Sequence, residues 1–350
     1  MLVNIISVLV LVALVVLFAW LVRRSWGSKR AWLKWPGLVL SGLLTLVLAA
    51  VTIVAVIGFA RGYLPASNPA ASIKVAATSA QVERGKQMAY LCAGCHSPNG
   101  DLPLAGGQEN FGQLGAGGPT VGNLYPPNLT PGGELASWTD GEIIRAIREG
   151  VHKSGRPLLV MPSATFHNMS DEDVQALVAY LRSQPTVKRE AHFDTPSNGV
   201  NVLGALFLGS GLFPTSAQPA ITQPVVAPPR GTSPEYGDYL VHTLGCTDCH
   251  GEKLDGHTTG GLGPSGAPNL TLIVPKWQEA DLTTRICPDA YLTLTPDFRL
   301  KPTRWLRFVV AGFTILAIGV GVFYWVALHE GKQALTLELK AINHSESSTP

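Results

Sequence analysis

The chain has 350 residues, of which 46% are hydrophobic and only 14% are charged, and this balance excludes an ordinary soluble globular protein of that size. The length favours two or three domains. The formal net charge of +2 is by itself no argument for or against a nucleic-acid partner, and we expect none.

Apolar residues concentrate near the N-terminus, in 2–22 and 37–60, and again near the C-terminus, in 308–328. Each range holds about twenty uncharged residues, which is the length that crosses a bilayer. The first range has no basic segment before it and no small-residue cleavage site after it, so we predict a retained span rather than a signal peptide. The sequence thus predicts three transmembrane helices.

The loop between the first two predicted spans is basic and contains Arg23, Arg24, Lys29, Arg30 and Lys34. Short basic loops stay in the cytoplasm. This rule places the N-terminus and residues 61–306 on the extracytoplasmic side of the membrane.

A Cys-x-x-Cys-His pattern occurs twice, as Cys92-Ala93-Gly94-Cys95-His96 and as Cys246-Thr247-Asp248-Cys249-His250. This spacing is typical of covalent attachment of a c-type haem, in which both thiols form thioethers and the adjacent histidine binds the iron. A lone Cys-x-x-Cys also fits a zinc site or a redox dithiol, but zinc needs further ligands within one small module. The sequence therefore predicts two haem c groups, each with its iron.

Further matches come into register when the two motifs are aligned. Pro-Asn-Leu-Thr occurs at 127–130 and at 268–271, a tryptophan precedes acidic residues at 138 and 277, and Gly85 pairs loosely with Gly237. An internal repeat is the natural interpretation.

With these motifs the chain resembles the class I cytochrome c family, and in particular the membrane-anchored dihaem cytochromes of respiratory complexes and periplasmic dehydrogenases. The resemblance covers residues 78–282, and its motifs are specific in the first half and partial in the second. Together with the three apolar ranges it predicts a mainly α fold, with three transmembrane helices and two extracytoplasmic cytochrome c modules of which the second is incomplete.

The predicted domains follow the chain in order: 1–60 holds two transmembrane helices with a short cytoplasmic loop, 78–190 is module one, 191–234 is an apolar and proline-rich linker, 235–304 is the truncated module two, 305–329 is the third transmembrane helix and 330–350 is a cytoplasmic tail.

Module one has a predicted helix near each end. Residues 81–91 form an amphipathic pattern that leads into the first motif, and Gly85 is small enough to let a second helix cross closely. Ser170 starts a sequence typical of a helix N-cap, followed by apolar residues at helical spacing. In the class I family the last helix packs on the first through an aromatic side chain, and the resemblance gives that role to Tyr180.

A low-spin haem c needs a second axial ligand, and a methionine thioether raises its potential relative to two imidazoles. Met169 directly precedes the helix cap and can pack on that helix as a hydrophobic staple. Met161 precedes a proline in a loop that matches the family's ligand loop. We predict that His96 and Met161 ligate the first iron, with His152 and His167 as alternatives.

By resemblance, the Pro127 carbonyl accepts the free N–H of His96 and so orients the imidazole. The repeat gives Pro268 the corresponding place beside His250, the predicted ligand of the second iron.

The predicted linker has two parts. Residues 202–213 are apolar with three glycines and too short to span a bilayer, so we expect them to be buried at the domain interface, against the membrane or on a partner. Residues 214–234 are rich in proline, which predicts an extended polyproline conformation.

Module two departs from the family after residue 282. No methionine follows His250, because the four methionines are at positions 1, 88, 161 and 169, and prolines at 288, 296 and 302 interrupt any helix. The second iron is therefore five-coordinate, ligated by His257 or another distant histidine, bound by Cys287, or completed by a neighbouring subunit; a sequence error would look the same. His257 and Cys287 also have ordinary interpretations, as a solvated loop residue and a small buried side chain. We expect His242 to be too constrained to reach the far haem face.

These observations predict an electron-transfer subunit, anchored in a prokaryotic cell membrane, of a respiratory or photosynthetic complex. Its partners are then the other subunits of that complex and a redox donor and acceptor such as a quinol-oxidising subunit, a soluble cytochrome or a cupredoxin. The alternative is a dihaem peroxidase-like or gas-binding protein that uses an open coordination position at the second haem.

Overall fold

The computed structural model describes residues 2–114, 118–189, 199–256 and 267–278. Within these ranges the chain is mainly helical. The α-helices are α1 (Leu2–Trp26), α2 (Ala31–Tyr63), α3 (Ser79–His96), α4 (Asp140–Glu149), α5 (Ser163–Phe166), α6 (Asp171–Ser183), α7 (Val202–Ser210), α8 (Pro234–Thr243), α9 (Cys246–His250) and α10 (Leu270–Ile273). Glu134–Ser137 and Val274–Lys276 are 3-10 helices.

The strands β1 (Gly122–Asn123) and β2 (Gly199–Val200) pair in antiparallel register, with Gly122 opposite Val200. By contacts the chain divides into two compact units. Among the described residues, 2–8 and those from 53 onward make up the first unit, and 9–52 belong to the second.

Helices α1 and α2 are the two described helices that are long and apolar enough to cross a membrane. Their side chains face outward along most of their length, and no described residue of α1 is buried. The third predicted span, 308–328, lies outside the described residues.

Module one is built on the crossing of α3 and α6. A Cβ placed on Gly85 would lie 1.9 Å from the Ala176 carbonyl oxygen and 2.9 Å from the Tyr180 Cβ, so only glycine permits this approach. The sequence prediction that Gly85 and Tyr180 mark a helix crossing is thus confirmed. The buried core around it includes Met88 and Leu177.

Side-chain caps determine where these helices begin. Thr78 and Gln81 form a reciprocal capping box at the start of α3, which extends through the whole first motif rather than ending at the predicted residue 91. Ser170 caps α6 as predicted, by accepting a hydrogen bond from the Asp173 backbone N–H. Thr139 and Glu142 form another capping box at the start of α4, a helix that the sequence analysis did not predict.

The apolar segment 202–213 contributes α7, which packs on the last turns of α2. A Cβ on Gly58 would lie 1.7 Å from the Ala205 carbonyl oxygen, and one on Gly209 would lie 1.9 Å from the Val54 oxygen. Arg61 donates a hydrogen bond to the Leu208 carbonyl at 2.9 Å. The sequence predicts burial of this segment at a domain interface, against the membrane or on a partner. The contacts of α7 with α2 support an interface within the chain.

The proline-rich segment 214–234 contains no helix before Pro234 and lies along module one. Its backbone bonds to this module at three points: Ser216 N–H to the Leu158 carbonyl, Gln218 N–H to the Glu149 carbonyl, and the Val225 carbonyl to the Asp171 N–H. This part of the predicted linker is thus hydrogen-bonded to module one, and α8 begins at its end.

The pair Gly85 and Gly237 tests the helix crossing. We expect Gly85→Ala to lower the free energy of unfolding by about 1–3 kcal/mol, because the added methyl group overpacks the α3–α6 contact. Gly237, which pairs loosely with Gly85 in the repeat, lies in α8, where no described atom lies within 4 Å of an added Cβ. Gly237→Ala should therefore stabilise by about 0.5–1 kcal/mol through helix propensity. Denaturant titration of the two variants in detergent measures both effects, and equal losses would contradict the crossing.

Candidate haem-binding sites

A cavity of about 720 Å³ lies beside the end of α3. Its volume is in the range of ordinary cofactor sites. Apolar side chains such as Leu135, Ile143 and Phe166 line much of its wall. Five of the residues predicted for the first haem site line this same cavity: Cys92, Cys95, His96, Pro127 and Met161.

The cysteines of the first motif lie in an environment that disfavours thiolate. Burial, with a smaller effect of Cys95, raises the pKa of the Cys92 thiol to about 12, and burial also raises the pKa of Cys95. Zinc binds cysteine as thiolate. Among the described residues no group of three or more His, Cys, Asp or Glu side chains is placed to hold a metal. The site therefore fits thioether attachment better than zinc.

His96 ends α3 and is oriented by a backbone carbonyl. Its Nδ1 donates a hydrogen bond to the Pro127 oxygen at 2.9 Å, which leaves Nε2 for a metal. Only 8% of the residue is exposed, and this burial lowers the pKa of the imidazole. The neutral ring is the form that coordinates iron.

Met161 lies in the loop between α4 and α5, and its carbonyl accepts a hydrogen bond from the Ser163 N–H. The preceding Val160 has φ of +70°, which is unfavourable for a β-branched residue. Such strain costs about 1–3 kcal/mol and persists where the surrounding structure enforces it. The sequence analysis did not identify this backbone constraint beside the predicted ligand.

The rival ligands of the first site have other partners. Met169 is fully buried in the core with Val174 and does not line the cavity. His167 Nδ1 lies 3.0 Å from the Arg148 carbonyl, also away from the cavity lining. His152 lines the cavity, but its Nδ1 accepts a hydrogen bond from the Ser154 N–H and its Nε2 lies 3.6 Å from Glu134.

The second motif has the same hydrogen-bond arrangement as the first. His250 Nδ1 donates to the Pro268 carbonyl at 2.8 Å, as His96 does to Pro127. In both modules a glycine N–H bonds to the carbonyl of the motif histidine: Gly106 to His96 at 2.7 Å and Gly256 to His250 at 2.8 Å.

A third bond is also repeated, because Leu129 donates to the Leu104 carbonyl and Leu270 donates to the Leu254 carbonyl, each at 2.9 Å. Both glycines of the preceding pair have positive φ, +94° for Gly106 and +83° for Gly256. The internal repeat therefore extends from the sequence to the backbone bonds around each motif histidine.

The described part of the second site is far more open than the first. No residue of α9 is buried, and Cys249 is exposed. His242 has partners on both ring nitrogens, with Nδ1 bonding to the Asp238 carbonyl at 2.8 Å and Nε2 lying 3.3 Å from Glu252. The candidates His257 and Cys287 lie outside the described residues.

The cytochrome c family matches residues 82–185, so this part of the chain is a cytochrome c domain, which implies a haem c with its iron. The residues present fit that group: a mostly apolar cavity, two thiols, an imidazole oriented by a carbonyl, and a thioether that lines the same cavity.

Several curated proteins are similar to a larger part of the chain. It is 37% identical to a subunit of the nicotinate dehydrogenase of Pseudomonas putida over 192 residues, which cover 53% of the chain and 15% of that protein. It is 32% identical to the gluconate 2-dehydrogenase cytochrome c subunit of Pantoea cypripedii over 50% of the chain and 38% of the relative. It is 30% identical to the cytochrome c subunit of the alcohol dehydrogenase (quinone) of Gluconacetobacter polyoxogenes, over 55% and 41%. The chain thus spans less than half the length of these relatives.

Replacement of each methionine tests the ligand assignment. We expect Met161→Ala to remove the near-infrared band of a methionine-ligated ferric haem and to lower the potential of the first site. Met169→Ala should keep the band but cost about 2–5 kcal/mol of stability, since it leaves a cavity in the core. Absorption spectra and redox titrations of both variants check this, and the assignment is wrong if the band depends on Met169.

Proposed function

We propose that this chain is a membrane-anchored dihaem cytochrome c that passes single electrons from a dehydrogenase subunit to an acceptor. The observation that carries the proposal is the repeated arrangement of hydrogen bonds around His96 and His250, each of which follows a Cys-x-x-Cys pair. When bound, haem c supplies a one-electron iron couple.

The residues of the first site would hold this haem c and set its reduction potential. Cys92 and Cys95 hold the group covalently, and the Pro127 carbonyl holds the proton on Nδ1 of His96, which makes the imidazole a stronger ligand. The Met161 thioether raises the potential, and the apolar cavity wall excludes water. These functions require no proton transfer and no bound substrate at this site.

The second site has a different environment and therefore a different potential. No residue of its motif is buried and Cys249 is exposed, and no methionine follows His250 to raise its potential. Partial solvent exposure would bring the edge of a haem bound there within reach of another protein. The second site is thus the place where a partner exchanges electrons with the chain.

The relatives determine which kind of complex we propose. Their names describe cytochrome subunits or components of nicotinate, gluconate and alcohol dehydrogenases. We therefore assign the electron donor to the catalytic subunit of a periplasmic dehydrogenase, in preference to a photosynthetic complex. A quinone, a soluble cytochrome or a cupredoxin is the proposed acceptor. These names favour electron transfer over peroxidase activity.

Membrane anchoring by α1 and α2 is supported at both ends of the pair. Four tryptophans lie near the basic loop, at positions 20, 26, 32 and 35, which is the usual place of interfacial aromatic residues. At the other end, the Asn4 side chain donates to the Val200 carbonyl at 2.7 Å, and α7 packs on the end of α2. The start of α1 and the end of α2 therefore both lie beside the segment that joins the two cytochrome modules.

The number of haems is tested by mass. We expect the denatured wild-type chain to carry the mass of two haems, and a chain with Cys246→Ala and Cys249→Ala to carry one. In a coulometric titration the wild type should take up two electrons and consume no peroxide. A single haem on the wild type, or peroxide turnover, would reject the proposed function.

The topology is tested by labelling. Ala136→Cys, in module one, should react with an impermeant maleimide added outside the cell, because its residue is exposed on the proposed extracytoplasmic side. Lys29→Cys, in the basic loop, should react only after the membrane is opened. The reverse pattern would invert the topology.

A further inference from the structure

Helix α8 of module two packs on module one through one face. Tyr236 and Tyr239 lie on this face, and their rings stack with centroids 6.0 Å apart. Gly237 lies on a different face, with no described atom within 4 Å of an added Cβ. In module one the equivalent helix α3 packs instead on α6 of its own module, at Gly85.

The contact is centred on Asp173, a carboxylate that is only 2% exposed. Arg84 donates to both of its oxygens, at 2.9 and 3.2 Å, and the Tyr239 hydroxyl donates to Oδ2 at 2.7 Å. Tyr236 belongs to the same network, because its hydroxyl accepts a hydrogen bond from Arg84 at 3.1 Å. A buried carboxylate with this many charged and polar partners strongly favours one arrangement of the three helices.

Tyr239 also supplies a bond that the α6 cap lacks. In a complete capping box the third helical residue bonds back to the N-cap N–H. Here that residue is Asp173, which bonds to Arg84, and the Ser170 N–H donates to the Tyr239 hydroxyl at 3.0 Å. A side chain of module two thus completes the start of a helix in module one.

A separate contact joins the second haem motif to the helix that follows Met161. Thr165, in α5, donates a hydrogen bond from its hydroxyl to Asp248 Oδ2 at 2.5 Å. Asp248 lies between Cys246 and Cys249. The second motif is therefore hydrogen-bonded to Thr165, a residue only four positions after Met161, the predicted ligand of the first site.

We propose that the corner formed by α5 and the start of α6 is the docking platform of module two, with Tyr239 and Thr165 as positioning residues. Module one then takes the place of the terminal helix that the pattern of module two lacks. The platform holds the second motif beside the Met161 loop, so that the two haem sites act as one electron-transfer pair. This inference rests on the proposed second haem.

Electron transfer between the two sites requires no further oxidant or reductant. With a haem c at each site, one electron would pass from a ferrous iron, which is oxidised to ferric, to the ferric iron of the other site, which is reduced to ferrous. No bond breaks and no proton moves. The rate depends on how closely the protein holds the two sites, which is the property assigned to Tyr239 and Thr165.

Tyr239→Phe tests the platform by hydrogen exchange. The variant keeps the ring but removes the donor to Asp173 and the acceptor of Ser170, so exchange of the Ser170 amide and of the α8 amides should accelerate about ten- to a hundredfold. Tyr90→Phe is the matched control, because Tyr90 is 53% exposed on α3 and lies outside this contact. Equal exchange in the wild type and both variants would overturn the platform.

Thr165 tests the electron-transfer pair. After photochemical reduction of the full chain, Thr165→Val should slow electron equilibration between the two sites, whereas Thr165→Ser, which retains the hydroxyl, should keep the wild-type rate. An unchanged rate in both Thr165→Val and Tyr239→Phe overturns the proposal. The haem mass of each protein is measured alongside, so that loss of the second haem, which concerns the proposed function, is distinguished from loss of docking.

Discussion

The close approach of α3 and α6 at Gly85 is the constraint on which the rest of module one depends. Helix α3 ends with the haem motif, so its position fixes where Cys92, Cys95 and His96 enter the cavity. Because the Ala176 carbonyl occupies the space that a Cβ would need, only glycine at position 85 allows the helices to pack this closely. The buried core then forms around this crossing, and α4 contributes Ile143 to the cavity wall. The position of the first motif thus depends on the close approach that Gly85 permits.

The same local chemistry occurs in two different environments. Both motif histidines bond to a proline carbonyl, but His96 is buried in a mostly apolar cavity whereas no residue of α9 is buried. Ligand type, exposure and hydrogen bonding set the potential of a haem iron, so the environment rather than the motif distinguishes the two sites. Within the described residues the chain thus has one enclosed site and one partly exposed motif, a difference that suits the proposed electron carrier.

The sequence predicted the features that depend on neighbouring residues. The haem motifs, the Ser170 cap, the close approach at Gly85 and the burial of Met169 all leave short-range patterns. Helix α4 was missed although Thr139 and Glu142 form a readable capping box. The Asp173 network could not be predicted, because it joins residues from α3, α6 and α8 that are far apart in sequence. The left-handed Val160 gives no signal at all, since β-branched residues disfavour that conformation.

The segment 199–213 directly contacts module one, the start of α1 and the end of α2. Its strand β2 pairs with β1 of module one, its Val200 carbonyl accepts from Asn4, and α7 packs on α2 through backbone approaches that exclude side chains at Gly58 and Gly209. These three contacts all lie within one compact unit of the chain, so the segment 199–213 is not a flexible linker. Module two is in turn bonded to module one at Asp173 and Thr165. In the proposed electron carrier, a partner therefore comes to the partly exposed second motif.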